Sequence, residues 1–201
     1  YNGVLFLLIN AHAVGSSADE HKAFIQQAIK ETEEAGVDIK WKVVCMHSSF
    51  YSNVTDNANL GHDRHKLRTT FMPVFQELGI DVVFSGHDHI YARSYMLDGV
   101  DQMDTDAVYT YDKNNVPVSV SNSDGVLYVA GSSPGNRCNA MAEKLDWVAV
   151  QGVDKRQNIS NVTVTDTTFN ITTYYTADMS VLDTFTIHKG VEQTDIALNM
   201  G

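Results

Sequence analysis

Three apolar runs of strand length alternate with two helical patterns in the first ninety residues, and this alternation constrains the fold more than any other feature. The runs cover residues 4–9, 41–46 and 81–85. Continuous apolar strands are typical of sheets that are buried on both faces. Strands that alternate with helices indicate crossover connections. This part of the chain is therefore predicted to have an α/β fold.

Each segment between these runs carries its own helix signals. Ser17 and Glu20 form the ends of a capping box, and the helix that follows is predicted to end near Gly36. Apolar side chains at helical spacing predict a second helix that ends at Gly79. Pro73 predicts a kink in that helix or an irregular start.

The rest of the chain is predicted to be rich in β-structure. Short strands are expected at residues 90–97, 107–111, 116–120 and 126–130, with at least three more between 159 and 188. Residues 123–125, with the sequence S-D-G, predict a hairpin turn. Since no repeat or low-complexity linker interrupts the chain, we expect one domain, with an α/β part at 1–97 and a β-rich part at 98–201.

Composition excludes several classes of function. The formal net charge of −11 disfavours nucleic acid and anionic membranes as partners. A phosphorylated ligand would need a local cation, and a metal centre can supply one. The chain has no apolar run long enough to span a membrane, and its two cysteines exclude a disulfide framework.

Three of the eight histidines share one feature of the predicted fold. His47 follows the second apolar run, and His87 and His89 follow the third, in the sequence G-H-D-H. Open α/β sheets bind ligands at the carboxyl ends of their strands. Imidazole is a common ligand of Zn, Fe and Mn, so a shared metal site is predicted at this edge of the sheet.

Other polar residues carry weaker signals. His62 and His65 either donate to a phosphate or leaving group at the mouth of the cleft or belong to a solvated first helical turn. Arg68 is expected to pair with an acid, reach a phosphate or lie on a helix surface. Tyr91 and Arg93 are expected to pack and pair so that they hold the G-H-D-H loop. No role is assigned to His12, His21 and His188.

The motifs around the histidines resemble those of a known superfamily. V-V-C-M-H-S-S-F-Y-S around His47 and V-V-F-S-G-H-D-H-I-Y-A-R-S around His87 resemble the calcineurin-like metallophosphoesterases, and among these the purple acid phosphatases. In that family one strand ends in H-x-P-x-Y and a later one in G-H-x-H-x-Y-x-R. Ser49 replaces the usual proline. The opening Y-N-G-V-L-F-L-L-I-N and residues 159–189 also resemble family segments, so the likeness covers nearly the whole chain.

The resemblance implies a fold, a metal centre and an activity. The fold would be the C-terminal part of a two-sheet β-sandwich flanked by helices, in α-β-β-α layers. His47 and His87 would ligate one transition-metal ion and His89 a second, with Fe, Zn or Mn as the metals, and His62 or His65 would lie in the substrate region. The activity would be hydrolysis of phosphate mono- or diesters by a metal-activated hydroxide. Family members are often exported, which implies an extracellular location.

The aspartate half of the family's metal site is absent from the sequence. The motifs D-x-H, G-D-x-x-Y and G-N-H-[DE], which supply the bridging aspartate, a tyrosinate and an asparagine, do not occur. Because the chain opens abruptly in a strand pattern at Tyr1, we expect the N-terminal half of the domain to lie upstream and the chain alone to be inactive. The expected partners are that missing half, a phosphate-ester substrate and a second copy in a dimer formed through exposed sheet edge or apolar surface.

Two other interpretations remain open from the sequence. The chain is either part of a hydrolase or a binding or structural module that keeps the fold without turnover. A weaker third hypothesis is a mononuclear histidine site with other chemistry, such as that of an oxygenase. This third site would need an added carboxylate, for which Asp88 is the candidate.

Overall fold

The structure, a computed structural model, describes residues 1–10, 17–51, 64–131, 138–152 and 156–190. Two helices and eleven strands occur within these ranges. In chain order they are β1 (Val4–Leu8), α1 (Ala18–Glu34), β2 (Trp41–Cys45), α2 (Arg64–Glu77), β3 (Val82–Ser85), β4 (Ala92–Leu97), β5 (Val108–Tyr111), β6 (Pro117–Ser121), β7 (Val126–Ala130), β8 (Val148–Gln151), β9 (Asn158–Val164), β10 (Thr168–Tyr175) and β11 (Val181–His188). Within the described part of the chain, neither helix is long and apolar enough to cross a membrane.

A six-stranded sheet in the order β1-β2-β3-β7-β4-β8 forms the first layer of strands. The strands β1, β2 and β3 run parallel, which confirms the α/β arrangement predicted from their apolar runs, and β7 adds a fourth parallel strand from the part of the chain that was predicted only to be rich in β-structure. β4 joins β7 and β8 in antiparallel pairs, so the sheet is mixed at that side. β1 lies at the opposite edge, and one of its two sides pairs with no strand of the described residues.

Helices α1 and α2 cover one face of this first sheet. Ser17 caps α1, because its hydroxyl oxygen accepts a hydrogen bond from the backbone N–H of Glu20 at 3.0 Å, which confirms the Ser17 half of the predicted capping box. α2 continues through Pro73, which lies inside the helix. Ile25 of α1 and Phe71 of α2 pack on the strand residues that face the helices.

A second sheet packs on the other face. Its five strands lie in the order β5-β6-β11-β10-β9. The core between the sheets contains Trp41 and Val129 from the first sheet and Phe169 and Phe185 from the second. The two-sheet sandwich with helices is therefore confirmed. Both helices of the described residues lie on the face of the first sheet that points away from the second sheet.

Buried charge and aromatic contacts join the two sheets. Arg93 of β4 pairs with Asp183 of β11 at 2.7 Å, and the two side chains are 0% and 4% exposed. The Tyr91 hydroxyl donates to the same carboxylate at 2.7 Å, and burial raises the tyrosine's pKa. The Arg93 guanidinium also stacks on Phe185 at 4.1 Å. The prediction that Tyr91 and Arg93 pair and pack beside the G-H-D-H loop is confirmed.

The predicted hairpin at residues 123–125 is wrong. β6 ends before this turn in the second sheet, and β7 begins after it in the first, so the two strands do not pair with each other. The carboxylate of Asp104 accepts hydrogen bonds from the Ser123 hydroxyl at 2.6 Å and from the Gly125 N–H at 3.3 Å. These hydrogen bonds hold the segment where the chain passes from one sheet to the other. Because Asp104 lies about 20 positions earlier, the local sequence of the turn does not reveal them.

The buried ion pair gives a prediction about stability. Asp183→Ala would leave the Arg93 guanidinium buried without a carboxylate, so we expect the free energy of unfolding to fall by about 3–5 kcal/mol. The matched control is Glu34→Ala, which removes the exposed Lys30–Glu34 pair of 3.7 Å and should cost less than about 1 kcal/mol. Urea unfolding of both variants measures the difference. Similar losses in the two variants would contradict a structural role for the buried pair.

Candidate metal centre

Parallel pairing of β2 and β3 brings two of the predicted histidines together. Cys45 at the end of β2 pairs in register with Phe84 of β3. His47 follows Cys45 by two residues, and His87 follows Phe84 by three. Both histidines therefore emerge at the carboxyl end of the same sheet, as the sequence predicted.

The two imidazole rings are in direct contact. His87 Nδ1 lies 2.8 Å from His47 Nε2, and the rings are perpendicular with their centroids 4.8 Å apart. A hydrogen bond at this distance requires one of the facing nitrogens to carry a proton and the other to accept it. Two nitrogens bound to one ion at about 2.1 Å each can lie no more than about 4.2 Å apart. The 2.8 Å separation lies within this limit, so the two nitrogens are close enough to share one cation.

Both histidines of G-H-D-H have an unusual backbone conformation. The φ angles are 68° at His87 and 51° at His89, in the left-handed region that costs a non-glycine residue about 1–3 kcal/mol. Backbone hydrogen bonds hold the loop in place: Gly86 N–H donates to the His47 carbonyl at 3.1 Å, and Asp88 N–H donates to the Gly86 carbonyl at 2.8 Å. Strained conformations of this kind cluster at functional sites, where the surrounding structure maintains them.

His89 contributes a buried nitrogen. Its Nδ1 is buried and has no hydrogen-bond partner among the described residues. A buried polar atom without a partner costs about 1–3 kcal/mol, and a ligand on that nitrogen would remove the cost. No group of three or more His, Cys, Asp or Glu side chains in the described ranges is arranged to hold a metal ion. The structure therefore joins His47 and His87, and the role of His89 as a ligand stays a prediction.

Two serine hydroxyls connect the loops that carry the histidines. Ser49, which stands where the family pattern has proline, is buried, and its hydroxyl accepts a hydrogen bond from the Ser85 hydroxyl at 3.1 Å. Ser85 is the last residue of β3, and Ser49 belongs to the loop after β2. Proline could not make this contact. Nothing in the sequence motif identified Ser85 as a partner, because the two residues lie 36 positions apart.

Two of the other residues considered for the site, His65 and Arg68, lie in the described part of the chain. His62 lies outside the described residues. His65 is exposed in the first turn of α2. Arg68 donates to the carbonyl of Phe50 at 3.0 Å and pairs with Asp101 at 2.9 Å, as expected for pairing with an acid.

A large cavity of about 770 Å³ lies at the opposite end of the first sheet. It is lined by Lys42 at the start of β2, Asp81 before β3 and Gly125 before β7, which mark the amino ends of the parallel strands. The histidines follow the carboxyl ends of β2 and β3. This cavity is therefore separate from the candidate metal centre.

Comparison with known proteins shows which of them this chain resembles. An uncharacterised protein of Mycobacterium tuberculosis is 28% identical over 134 residues, 66% of this chain and 24% of that protein. Purple acid phosphatase 5 of Arabidopsis thaliana is 31% identical over 106 residues, 51% of this chain and 25% of the enzyme. No protein-family model matches the chain.

A solved structure supports the same likeness at the level of the fold. The purple acid phosphatase PPD1 of yellow lupin superimposes with a TM-score of 0.69 at 17% identity, covering 98% of this chain and 33% of the lupin enzyme. The resemblance to the purple acid phosphatases is confirmed, and the chain has the fold of part of such a protein. It spans about a quarter of the length of the curated relatives it matches.

Proposed function

We propose that this chain is the C-terminal portion of a metal-dependent phosphate-ester hydrolase and supplies the histidine half of its metal centre. The contact between His47 and His87, at 2.8 Å on the carboxyl side of β2 and β3, is the observation that carries the proposal. The likeness to purple acid phosphatases supports phosphate esters as the substrate class. Two transition-metal ions, drawn from Fe, Zn and Mn, are proposed as cofactors.

Each histidine has a distinct part in the proposal. His47 Nε2 and His87 Nδ1 would hold one ion, and His89 would hold the second. When bound, the ions would activate water at neutral pH and offset the charge of the phosphate. The net charge of −11 otherwise repels an anionic substrate, so the metal ions held by the histidines would supply the local positive charge that binding needs.

The open edge of β1 is the proposed contact surface for the N-terminal half of the domain. Phe6 is 49% exposed and Leu8 is 73% exposed on the face of β1 that also carries buried Val4. Leu8 pairs in register with Cys45, two residues before His47. A segment that paired with this edge and packed over Phe6 and Leu8 would bury apolar surface. It could also bring the missing carboxylate ligands towards the histidines. In its absence, the same edge favours a dimer of the chain alone.

The first prediction of the proposal concerns metal binding. His87→Ala should weaken binding of Co²⁺ by the chain at neutral pH by at least about tenfold, because one of two converging nitrogens is lost. His188→Ala is the matched control, since His188 lines the cavity at the other end of the sheet. Isothermal titration with Co²⁺ alone measures both affinities. If the chain binds no Co²⁺, or if both variants bind Co²⁺ as tightly as the unmodified chain does, the proposal of a metal centre at these histidines is wrong.

The second prediction concerns activity. The chain alone should hydrolyse an aryl phosphate at near the background rate with added Zn²⁺, Mn²⁺ or Fe³⁺. Three neutral imidazoles cannot balance two metal ions, and each missing electrostatic contact typically costs about 3–4 kcal/mol in the transition state. The chain extended at its N-terminus should show metal-dependent turnover that His87→Ala abolishes. Inactivity of an extended, metal-loaded protein would instead favour a binding or structural module.

We further propose that the protein is exported, on the strength of its likeness to the purple acid phosphatases. An antibody against the chain should detect the protein in the extracellular fraction of its native cells. Recovery from the cytosol alone would overturn this location.

A further inference from the structure

Asn139 reaches the histidine loop from a distant part of the chain. Its side-chain Nδ2 donates a hydrogen bond to the carbonyl oxygen of Asp88 at 2.8 Å, across 51 positions of sequence. Asn139 is half-buried, and Asp88 is 1% exposed. No motif in the sequence marks this asparagine, which lies between β7 and β8.

The Asp88 carbonyl oxygen, which accepts this hydrogen bond, belongs to the peptide group that leads into His89. A peptide group is planar, so the Asp88 carbonyl and the His89 nitrogen turn as one unit. Fixing that oxygen limits ψ of Asp88 and φ of His89 together. The φ of 51° at His89 belongs to the left-handed region, which an L-residue leaves unless other contacts hold it there.

The neighbouring peptide groups of the loop are held by the backbone itself. Gly86 N–H donates to the carbonyl of His47, and Asp88 N–H donates to the carbonyl of Gly86. These contacts fix the loop up to the amide nitrogen of Asp88. The Asn139 amide holds the next peptide group, which leads into His89.

We propose that Asn139 is a positioning residue that holds His89 in the orientation it needs as a metal ligand. The proposal rests on the proposed metal centre. In this role Asn139 would contact neither ion nor substrate and would act only through the Asp88–His89 peptide group. Without the amide, that peptide group can rotate, φ of His89 can relax, and its imidazole can turn away from the neighbouring histidines.

A variant series with Co²⁺ as the probe tests this role. In the chain extended at its N-terminus, which would hold both ions, Asn139→Ala should lower the affinity for the second Co²⁺ by about 10- to 100-fold, as loss of a group that orients a ligand typically does. The matched control is Asn158→Ala, which removes an asparagine-to-carbonyl hydrogen bond of 3.4 Å to Arg156 in the second sheet. This control should leave the affinity unchanged. The midpoint of urea unfolding, measured without metal, reports whether either variant simply destabilises the fold.

A double variant separates action through His89 from a general effect. In a His89→Ala background, Asn139→Ala should cause no further loss of Co²⁺ affinity, because the residue it positions is gone. An equal loss in both backgrounds, or no loss in the single variant, would overturn the role of Asn139 while leaving the metal centre intact. Absence of Co²⁺ binding by the unmodified chain would instead overturn the proposed function on which this role depends.

Discussion

The parallel register between β2 and β3 is the constraint on which the site depends. Neighbouring parallel strands end at the same edge of a sheet, so residues far apart in sequence become neighbours in space when both follow a strand end. His47 and His87 lie 40 positions apart and still approach to 2.8 Å. The helices on one face and the second sheet on the other bury these strands and so keep their register.

The loop between β3 and β4 is held at both ends. β3, at its entry, lies between β2 and β7 in the first sheet. At its exit, Tyr91 and Arg93 bind the Asp183 carboxylate of the second sheet. A loop fixed in this way can keep two residues at positive φ, since neither end can move to release the strain. The buried ion pair therefore supports the geometry of the histidines as well as the packing of the sheets.

Local signals predicted the parts of the fold that local chemistry decides. Continuous apolar runs predicted β1, β2 and β3, and the Ser17 side chain predicted the start of α1. His47 and His87 each follow the end of a strand. This position predicted that the two side chains lie close together, because neighbouring parallel strands end on the same side of a sheet. The hairpin prediction at residues 123–125 was wrong because the buried Asp104 carboxylate, which is distant in sequence, binds this segment. The strand β8 was not predicted. Partners such as Asn139 and Ser85 are set by the tertiary fold, which no short motif contains.

The order of strands in the first sheet has a consequence for synthesis on the ribosome. β3 needs β7 as its second neighbour, and Arg93 meets its carboxylate only at a residue 90 positions later. At a synthesis rate of about 5–20 residues per second, those positions take roughly 5–20 s to emerge. The guanidinium stays without its carboxylate for that whole interval, and β3 lacks its second neighbour until β7, which begins about 40 residues after β3, has been made. The segment that carries His87 is therefore made early and becomes fixed late, and a nascent chain is most open to capture by chaperones or by other strands in that period.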